Sequence, residues 1–244
     1  MRNIKLTIEY GGTNYCGWQS QINGPSIQDF VEKALKGFLH ERVKIIGAAR
    51  TDSGVHAKGQ VANFKTTSKL PLRKIKKALN GNLPKDISVT AIGRVTEDFN
   101  AQFSAKGKLY RYRICNREER NPFFDRFSIH IPRKLDIITM RKGTRPLLGR
   151  HDFSSFKGSK GVTRTQVRTI KKLSIKRKNN FIIINIEANG FLYNMVRNIV
   201  GTLIEIGRAK VKPASMKKIL SARDRSKAGP TAPAKGLALI KVIY

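Results

Sequence analysis

The most informative part of the chain is residues 47–64, which read GAARTDSGVHAKGQVANF. Two runs that are typical of strands flank a polar loop that carries Arg50, Asp52 and His56. Catalytic groups are often carried by loops that a rigid scaffold positions, and Gly54 permits a backbone turn directly after the carboxylate. From the residue types alone, the simpler interpretation is a hairpin in which Asp52 caps the turn and Arg50 is solvated.

Along the whole chain, apolar residues predict a succession of strands and helices. Ser26 is a suitable N-cap for a first helix, and Pro71 opens a second helix that Gly81 ends as C-cap. A third helix follows Asn189-Gly190, and a weaker helical pattern over 135–148 is interrupted by Gly143 and Pro146. The predicted strands cover 4–8, 43–46, 60–64, 87–95, 109–115, 169–175, 181–188 and 237–243.

This order of elements predicts the α+β class. A β-α-β-β-α-β pattern, followed by a looser mixture, indicates two similar α/β halves that share a mainly antiparallel sheet with helices on one face. We place the N-terminal half at 1–104 and the C-terminal half at 105–244. A chain of 244 residues is long enough to give each half its own core.

The charge balance predicts a polyanionic partner. Lys and Arg number 49 against 16 Asp and Glu, which gives a formal net charge of +33. The common polyanions are nucleic acid and anionic membrane. The apolar run at 181–186 is far too short to span a bilayer, so nucleic acid is the expected partner and a membrane is not. The alternative explanation for this charge is that the proteins of the source organism are basic in general.

Cysteine usage and the N-terminus predict a cytoplasmic protein. Cys16 and Cys115 form no CxxC pair, and the histidines lack the spacing of zinc ligands. A disulfide framework is therefore not expected. The N-terminus runs directly into a strand pattern without a secretory signal.

Six stretches of the chain resemble one enzyme family. ARTDSGVHAKGQVANF is similar to the signature GRTDxGVHAxGQVxxF of the TruA-type pseudouridine synthases. Five more stretches are similar to the family's other motifs, and all six occur in the family's order along the chain. The five are YGGTNYCGWQ at 10–19, KLYRYRI at 108–114, GRHDFSSF at 149–156, FLYNMVRNIVG at 191–201 and AGPTAPAKGL at 228–237. One such match could arise by chance, whereas six in order span nearly the whole chain.

The chain departs from the family pattern at three places. Gly11 stands where the opening motif usually has Asp, and Ala49 stands where the signature usually has Gly. Pro146 interrupts the helix expected before His151. The first change puts the hydrogen bonding of the opening turn in question, and none of the three removes the expected catalytic residue.

The resemblance implies the pseudouridine synthase fold with a central RNA-binding cleft. It implies an isomerase that converts uridine to pseudouridine in the anticodon stem-loop of tRNA, at tRNA positions 38–40. The implied partners are tRNA and a second copy of the chain, in a homodimer that holds one tRNA across both subunits. Because no redox change occurs and no external group is transferred, neither a small-molecule cofactor nor a metal is expected.

The resemblance also assigns the site residues. Asp52 is the catalytic carboxylate, acting either as nucleophile at C1′ or as base at C2′. Arg197 pairs with it and keeps it ionised. Tyr110 stacks on the flipped uracil, and Arg50 contacts RNA phosphate or fills the space that the base leaves.

Other interpretations remain open at this point. By residue type alone, Arg197 can reach solvent at a helix edge, and Tyr110 can pack in a core together with Tyr112, on the same side of the strand. A basic RNA-binding protein without catalysis explains the charge equally well. A hydrolytic N-glycosidase would use a similar carboxylate, and a pseudouridine synthase could act on another RNA.

Overall fold

The structure is a computed structural model, and it describes residues 1–159 and 163–244. The strands are β1 (Arg2–Tyr10), β2 (Ile46–Gly47), β3 (His56–Thr66), β4 (Ile87–Val95), β5 (Gly107–Cys115), β6 (Ile129–His130), β7 (Gly149–Asp152), β8 (Val167–Lys178), β9 (Phe181–Ala188) and β10 (Leu237–Ile243). The α-helices are α1 (Ile27–Leu39), α2 (Leu72–Asn82), α3 (Ile137–Thr144), α4 (Met195–Gly207) and α5 (Ser215–Ala222).

The chain divides into two compact units. The first comprises Met1–Lys106 and Ala238–Tyr244, and the second comprises Gly107–Leu237. The C-terminal strand β10 therefore lies almost entirely in the first unit, although it is far from that unit in sequence.

The sheet of the first unit has the strand order β4-β1-β3-β10. β1 pairs antiparallel with both β3 and β4, and β2 pairs antiparallel with β3. β10 runs parallel to β3, with Ala238 opposite His56. The first residue of β3, which directly follows the Asp52 loop, is thus fixed within a sheet.

Two amphipathic helices complete the first unit. Ser26 caps α1 through a capping box, in which its hydroxyl accepts from the Asp29 amide (3.1 Å) and the Asp29 carboxylate accepts from the Ser26 amide (3.3 Å). The prediction of Gly81 as C-cap of α2 is wrong. The helix continues to Asn82, and Pro84 holds the preceding Leu83 in an extended conformation that ends it.

The predicted strand at 43–46 is also wrong. The strand is Ile46–Gly47, which pairs with β3. Val43 and Ile45 are buried as the apolar pattern predicts, but the Ile45 amide donates to the Glu32 carboxylate on α1 (3.0 Å). A side chain of the helix therefore takes the hydrogen bond that a neighbouring strand would take.

The sheet of the second unit has the order β5-β9-β8-β7. In this order each strand pairs antiparallel with the next, and the short β6 runs parallel to β5. The predicted bounds of β4, β9 and β10 are confirmed, and β1, β3, β5 and β8 are longer than predicted by two or more residues at an end. The short strands β6 and β7 were not predicted. Each unit combines helices with a mainly antiparallel sheet, so the α+β class is confirmed.

The helices of the second unit differ from the sequence pattern in two ways. α4 begins at Met195 rather than directly after Gly190, because Asn194 adopts a left-handed conformation with φ of +57°. Gly143 lies inside α3 and does not interrupt it. Glycine suits this position because a Cβ there would come within 2.8 Å of Ile206 Cδ1 on α4. Pro146 does end the α-helical turns, within the 3-10 segment Arg145–Leu147. Across the two described ranges, none of the helices has the length and apolar character needed to cross a bilayer.

Candidate active site

Asp52 lies in the loop between β2 and β3, at the first position of a β-turn. The Val55 amide donates to the Asp52 carbonyl (3.1 Å), and Gly54 has φ of +76°, a conformation that favours glycine. Asp52 is half-buried, and Arg50 is exposed. The turn expected from the motif is therefore formed, with the carboxylate partly shielded from solvent.

The backbone on both sides of Asp52 is held by the segment that follows β1. The Trp18 amide donates to the Thr51 carbonyl (3.1 Å), and the Gly54 amide donates to the Tyr15 carbonyl (3.3 Å). This approach requires glycine at two places: a Cβ at Gly12 would lie 2.0 Å from the Val55 oxygen, and one at Gly17 would lie 2.5 Å from the Thr51 oxygen. The opening motif and the Asp52 motif therefore form one structure.

Side chains beneath the loop add to this anchoring. The hydroxyls of Tyr10 and Thr51 are 2.7 Å apart and buried, and burial raises the pKa of Tyr10 well above its usual range. The Gly12 amide donates to Nδ1 of the buried His56 (3.0 Å). His56 thus makes a structural hydrogen bond to the opening turn. Gln60, on β3, binds both backbone groups of Ala49.

Tyr110 lies on β5 in the second unit, opposite Ile186 of β9. Its side chain is 7% exposed, and its ring meets Phe191 edge-on with centroids 5.1 Å apart. Tyr112, on the same side of the strand, is fully buried, and its hydroxyl donates to the Pro233 carbonyl (2.7 Å). Both tyrosines are therefore held in defined orientations by aromatic packing or a hydrogen bond.

Arg197 lies in the first turn of α4 and is half-buried. Its Nε donates to the Ala232 carbonyl (2.7 Å), and its Nη1 donates to Asn194 Oδ1 (2.9 Å). The Ala232 amide returns a hydrogen bond to the Arg197 carbonyl (3.1 Å). A guanidinium that is held at two of its nitrogens has a fixed plane, which suits it for recognising a planar anion.

The segment that holds Arg197 is itself anchored on α4. The buried Asn198 accepts from Thr231 Oγ1 (2.6 Å) and from Arg225 Nη2 (3.1 Å). Gly201 makes the contact possible, because a Cβ there would lie only 1.7 Å from the Pro230 oxygen. The motifs at 191–201 and 228–237 are therefore packed against each other.

Three residues of the motif at 149–156 have structural roles. Phe153 and Phe156 are fully buried and contact each other in the core. Asp152 caps the following turn, where its Oδ1 accepts from the Ser154 amide (2.9 Å). Burial acts to raise the pKa of Asp152, but the hydrogen bonds from Ser154 outweigh it and hold this pKa below its usual value.

The four predicted site residues fall in two places. Arg50 and Asp52 share one loop of the first unit, whereas Tyr110 and Arg197 lie in the second unit. Their catalytic and substrate-binding roles stay predictions. Sequence reasoning missed the positioning side chains Gln60 and Tyr15, because their hydrogen bonds join residues far apart in the chain. Within the part of the chain that the structure describes, no cluster of three or more His, Cys, Asp or Glu residues is arranged to hold a metal ion.

Comparison with known proteins identifies the family. A family described as tRNA pseudouridine synthase matches residues 6–104 and 144–244, which include Asp52 and Arg197 but not Tyr110. tRNA pseudouridine synthase A 2 of Clostridium perfringens is 49% identical over 244 residues, 100% of both chains. The tRNA pseudouridine synthases A of Thermoanaerobacter sp. (strain X514) and Acetivibrio thermocellus are 49% and 47% identical over the same full length. The chain belongs to the tRNA pseudouridine synthase family.

Proposed function

We propose that this protein isomerises uridine to pseudouridine in the anticodon stem-loop of tRNA, with Asp52 as the catalytic carboxylate. The observation that supports this most is the anchoring of the Asp52 loop. Thr51 is bound by Trp18, Gly54 by Tyr15, and the loop entrance by Gln60. A carboxylate on so constrained a backbone reacts from one position, which is what catalysis by positioning requires.

The reaction needs one carboxylate and no external reagent. The N1–C1′ bond of uridine breaks, the uracil rotates, and a C5–C1′ bond forms. C5 then loses its proton and N1 gains one, so the product has the mass of the substrate. Asp52 acts at the sugar, either by attacking C1′ or by taking the C2′ proton, and it leaves the product in its original carboxylate form.

Residues of the second unit supply the binding groups of the proposal. Tyr110, oriented by Phe191, offers an aromatic surface for a base that has left its stack. Arg197, oriented by Ala232 and Asn194, supplies a positive charge for the Asp52 carboxylate. The exposed Arg50 contacts phosphate or fills the space left by the base.

The proposal extends to the assembly and its location. The net charge of +33 suits a partner as anionic as tRNA. We expect a homodimer that holds one tRNA across both subunits, in the cytoplasm. Because the reaction is an isomerisation, the enzyme is expected to work without a small-molecule cofactor.

The test is incubation of the purified protein with an unmodified tRNA transcript, without added cofactor. Pseudouridine is mapped by carbodiimide labelling and primer extension. Asp52→Asn keeps the size of the side chain and is expected to abolish the product. Asp98→Asn removes one carboxylate from an exposed position and is expected to leave the product unchanged.

The products separate the proposal from its rivals. Pseudouridine in the anticodon arm that depends on Asp52 supports it. Release of free uracil would identify an N-glycosidase, and tRNA binding without a chemical change would identify a non-catalytic RNA-binding protein. If a different RNA were modified and the tRNA were not, the proposed reaction would stand and the proposed substrate would be wrong.

A further inference from the structure

Asp86 is bound to the opening turn of the first unit through three of its atoms. It is half-buried and lies directly before β4. Its Oδ1 accepts from the Tyr15 hydroxyl, its Oδ2 accepts from Asn14 Nδ2 (3.2 Å), and its carbonyl accepts from the Gly11 amide (2.9 Å). One residue therefore fixes both ends of the turn that spans 11–15.

Tyr15 connects this anchor to the turn that carries Asp52. Its side chain is 6% exposed, and its ring meets Phe30 edge-on at 5.5 Å. Its backbone carbonyl accepts from Ser53 Oγ (3.2 Å) and from the Gly54 amide (3.3 Å), the two residues that follow Asp52. Burial, reinforced by the Asp86 carboxylate, raises the pKa of Tyr15, so the hydroxyl retains the proton that it donates.

We propose that Asp86 is a positioning residue for Asp52 and acts through Tyr15. The inference rests on the proposed role of Asp52 as catalytic carboxylate. The connection runs from the Asp86 carboxylate to the Tyr15 hydroxyl, and from the Tyr15 carbonyl to Ser53 and Gly54. Because a displacement of about 1 Å at a catalytic group can reduce the rate on the order of 100-fold, this anchoring affects catalysis without touching the substrate.

The chemistry of the contact explains why a carboxylate is used. A hydrogen bond to an ionised acceptor is shorter and roughly twice as strong as one between neutral groups. Gly11, where the related signature usually has Asp, brings no side chain to this turn, and a Cβ there would lie 3.8 Å from the Asp86 Cβ. The Asp86 side chain therefore lies next to the place where a side chain at position 11 would begin.

The kinetic test compares three single variants and one double variant on tRNA. Asp86→Ala and Tyr15→Phe are each expected to lower kcat roughly 10-fold or more, with KM unchanged, because the substrate contacts remain. The double variant is expected to lose no more than the greater single loss, since both changes break the same connection. Asn14→Ala removes the contact to Oδ2 only and is expected to keep the wild-type kcat. Tyr15→Phe keeps the packing on Phe30, so it tests the connection even if Asp86→Ala does not fold.

A second readout does not depend on activity. The Gly54 amide donates to the Tyr15 carbonyl, so its hydrogen exchange, followed by NMR, is expected to be faster in Asp86→Ala and Tyr15→Phe than in the wild type. If the wild type does not modify tRNA, the proposed function fails while this readout still tests the anchor. Unchanged kcat and unchanged Gly54 exchange in both variants would overturn the inference. Additive losses in the double variant, or an equal loss in Asn14→Ala, would overturn it as well.

Discussion

The side chain of Gln60 replaces a strand as hydrogen-bonding partner of Ala49. Its Nε2 donates to the Ala49 carbonyl (2.6 Å), and its Oε1 accepts from the Ala49 amide (3.2 Å). One residue earlier, the Ala48 amide still donates to the Val61 carbonyl of β3 (2.8 Å). Gln60 therefore extends the β2–β3 pairing by one residue, and the loop leaves the sheet at Arg50, two positions before Asp52.

Gln60→Ala is expected to destabilise the protein and to lower its activity. Two buried backbone groups of Ala49 would lose their partner, at about 1–3 kcal/mol for each group left unsatisfied. The free energy of unfolding in urea measures the first effect, and the rate of tRNA modification measures the second. Gln102→Ala, at an exposed position, is expected to change stability by less than about 0.5 kcal/mol. Equal stabilities of the two variants would contradict the role given to Gln60.

Gly12→Ala and Gly81→Ala are expected to act in opposite directions. A Cβ at Gly12 would lie 2.0 Å from a backbone oxygen that cannot move without moving the Asp52 turn. Stability and kcat should both fall. Gly81 lies in α2 with open space around its Cβ position, so alanine there should stabilise by about 0.5–1 kcal/mol. Thermal and urea unfolding measure the stability of both variants. A Gly12→Ala protein that is stable and active would show that Gly12 does not fix the Asp52 turn.

Arg197→Lys is expected to reduce kcat strongly while the protein remains folded. Lysine keeps the charge but cannot reproduce the two hydrogen bonds to Ala232 and Asn194 that fix the guanidinium plane. Arg208→Lys makes the same change at an exposed arginine that pairs with Glu205 (2.9 Å), where a surface ion pair contributes less than about 1 kcal/mol. Similar kcat values for the two variants would contradict a site role for Arg197.

Local patterns predicted much of the fold, because several elements are decided by neighbouring residues. The capping box of α1 needs only Ser26 and Asp29. The strand β9, along which buried and half-buried side chains alternate, needs only its own eight residues. Some errors arose where distant residues intervene, whereas the errors at Gly81 and at the start of α4 depend on the nearby Pro84 and Asn194. Glu32 of α1 takes the hydrogen bond that would have extended β2, and β10 joins β3 across most of the chain.

The candidate site divides in the same way. Motif resemblance predicts Asp52, Arg50, Tyr110 and Arg197 as site residues, from residue type and order along the chain. It did not identify Gln60 or Asp86, because each acts through hydrogen bonds to a residue that lies 11 or 71 positions away. Such contacts have no local spacing, so only the folded structure brings them to notice.

Alkaline pH is expected to destabilise the protein from about pH 10 upward. Burial raises the pKa of Tyr10 and Tyr112 well above the usual 10.0, so each holds its proton more tightly in the folded state. Their contribution to stability is full below pH 10 and is lost as the pH rises, at about 1.4 kcal/mol per pH unit for each tyrosine. Urea unfolding between pH 8 and 11 should show a shallower decline for Tyr10→Phe than for the wild type. The control Tyr193→Phe, at an exposed position, should follow the wild type, and identical slopes for all three proteins would contradict the prediction.

Affinity for tRNA is expected to fall steeply with salt. A protein with a net charge of +33 that neutralises roughly six to ten phosphates loses about 10³- to 10⁵-fold in affinity between 50 and 200 mM salt. Fluorescence anisotropy with labelled tRNA over a KCl series measures the slope of log affinity against log salt. If Arg50 contacts a phosphate, Arg50→Ala should reduce this slope by about 1, whereas Lys33→Ala, an equal loss of charge from α1, should reduce it less. Equal reductions would mean that total charge determines binding, and a shallow slope in the wild type would remove the electrostatic basis for tRNA as partner.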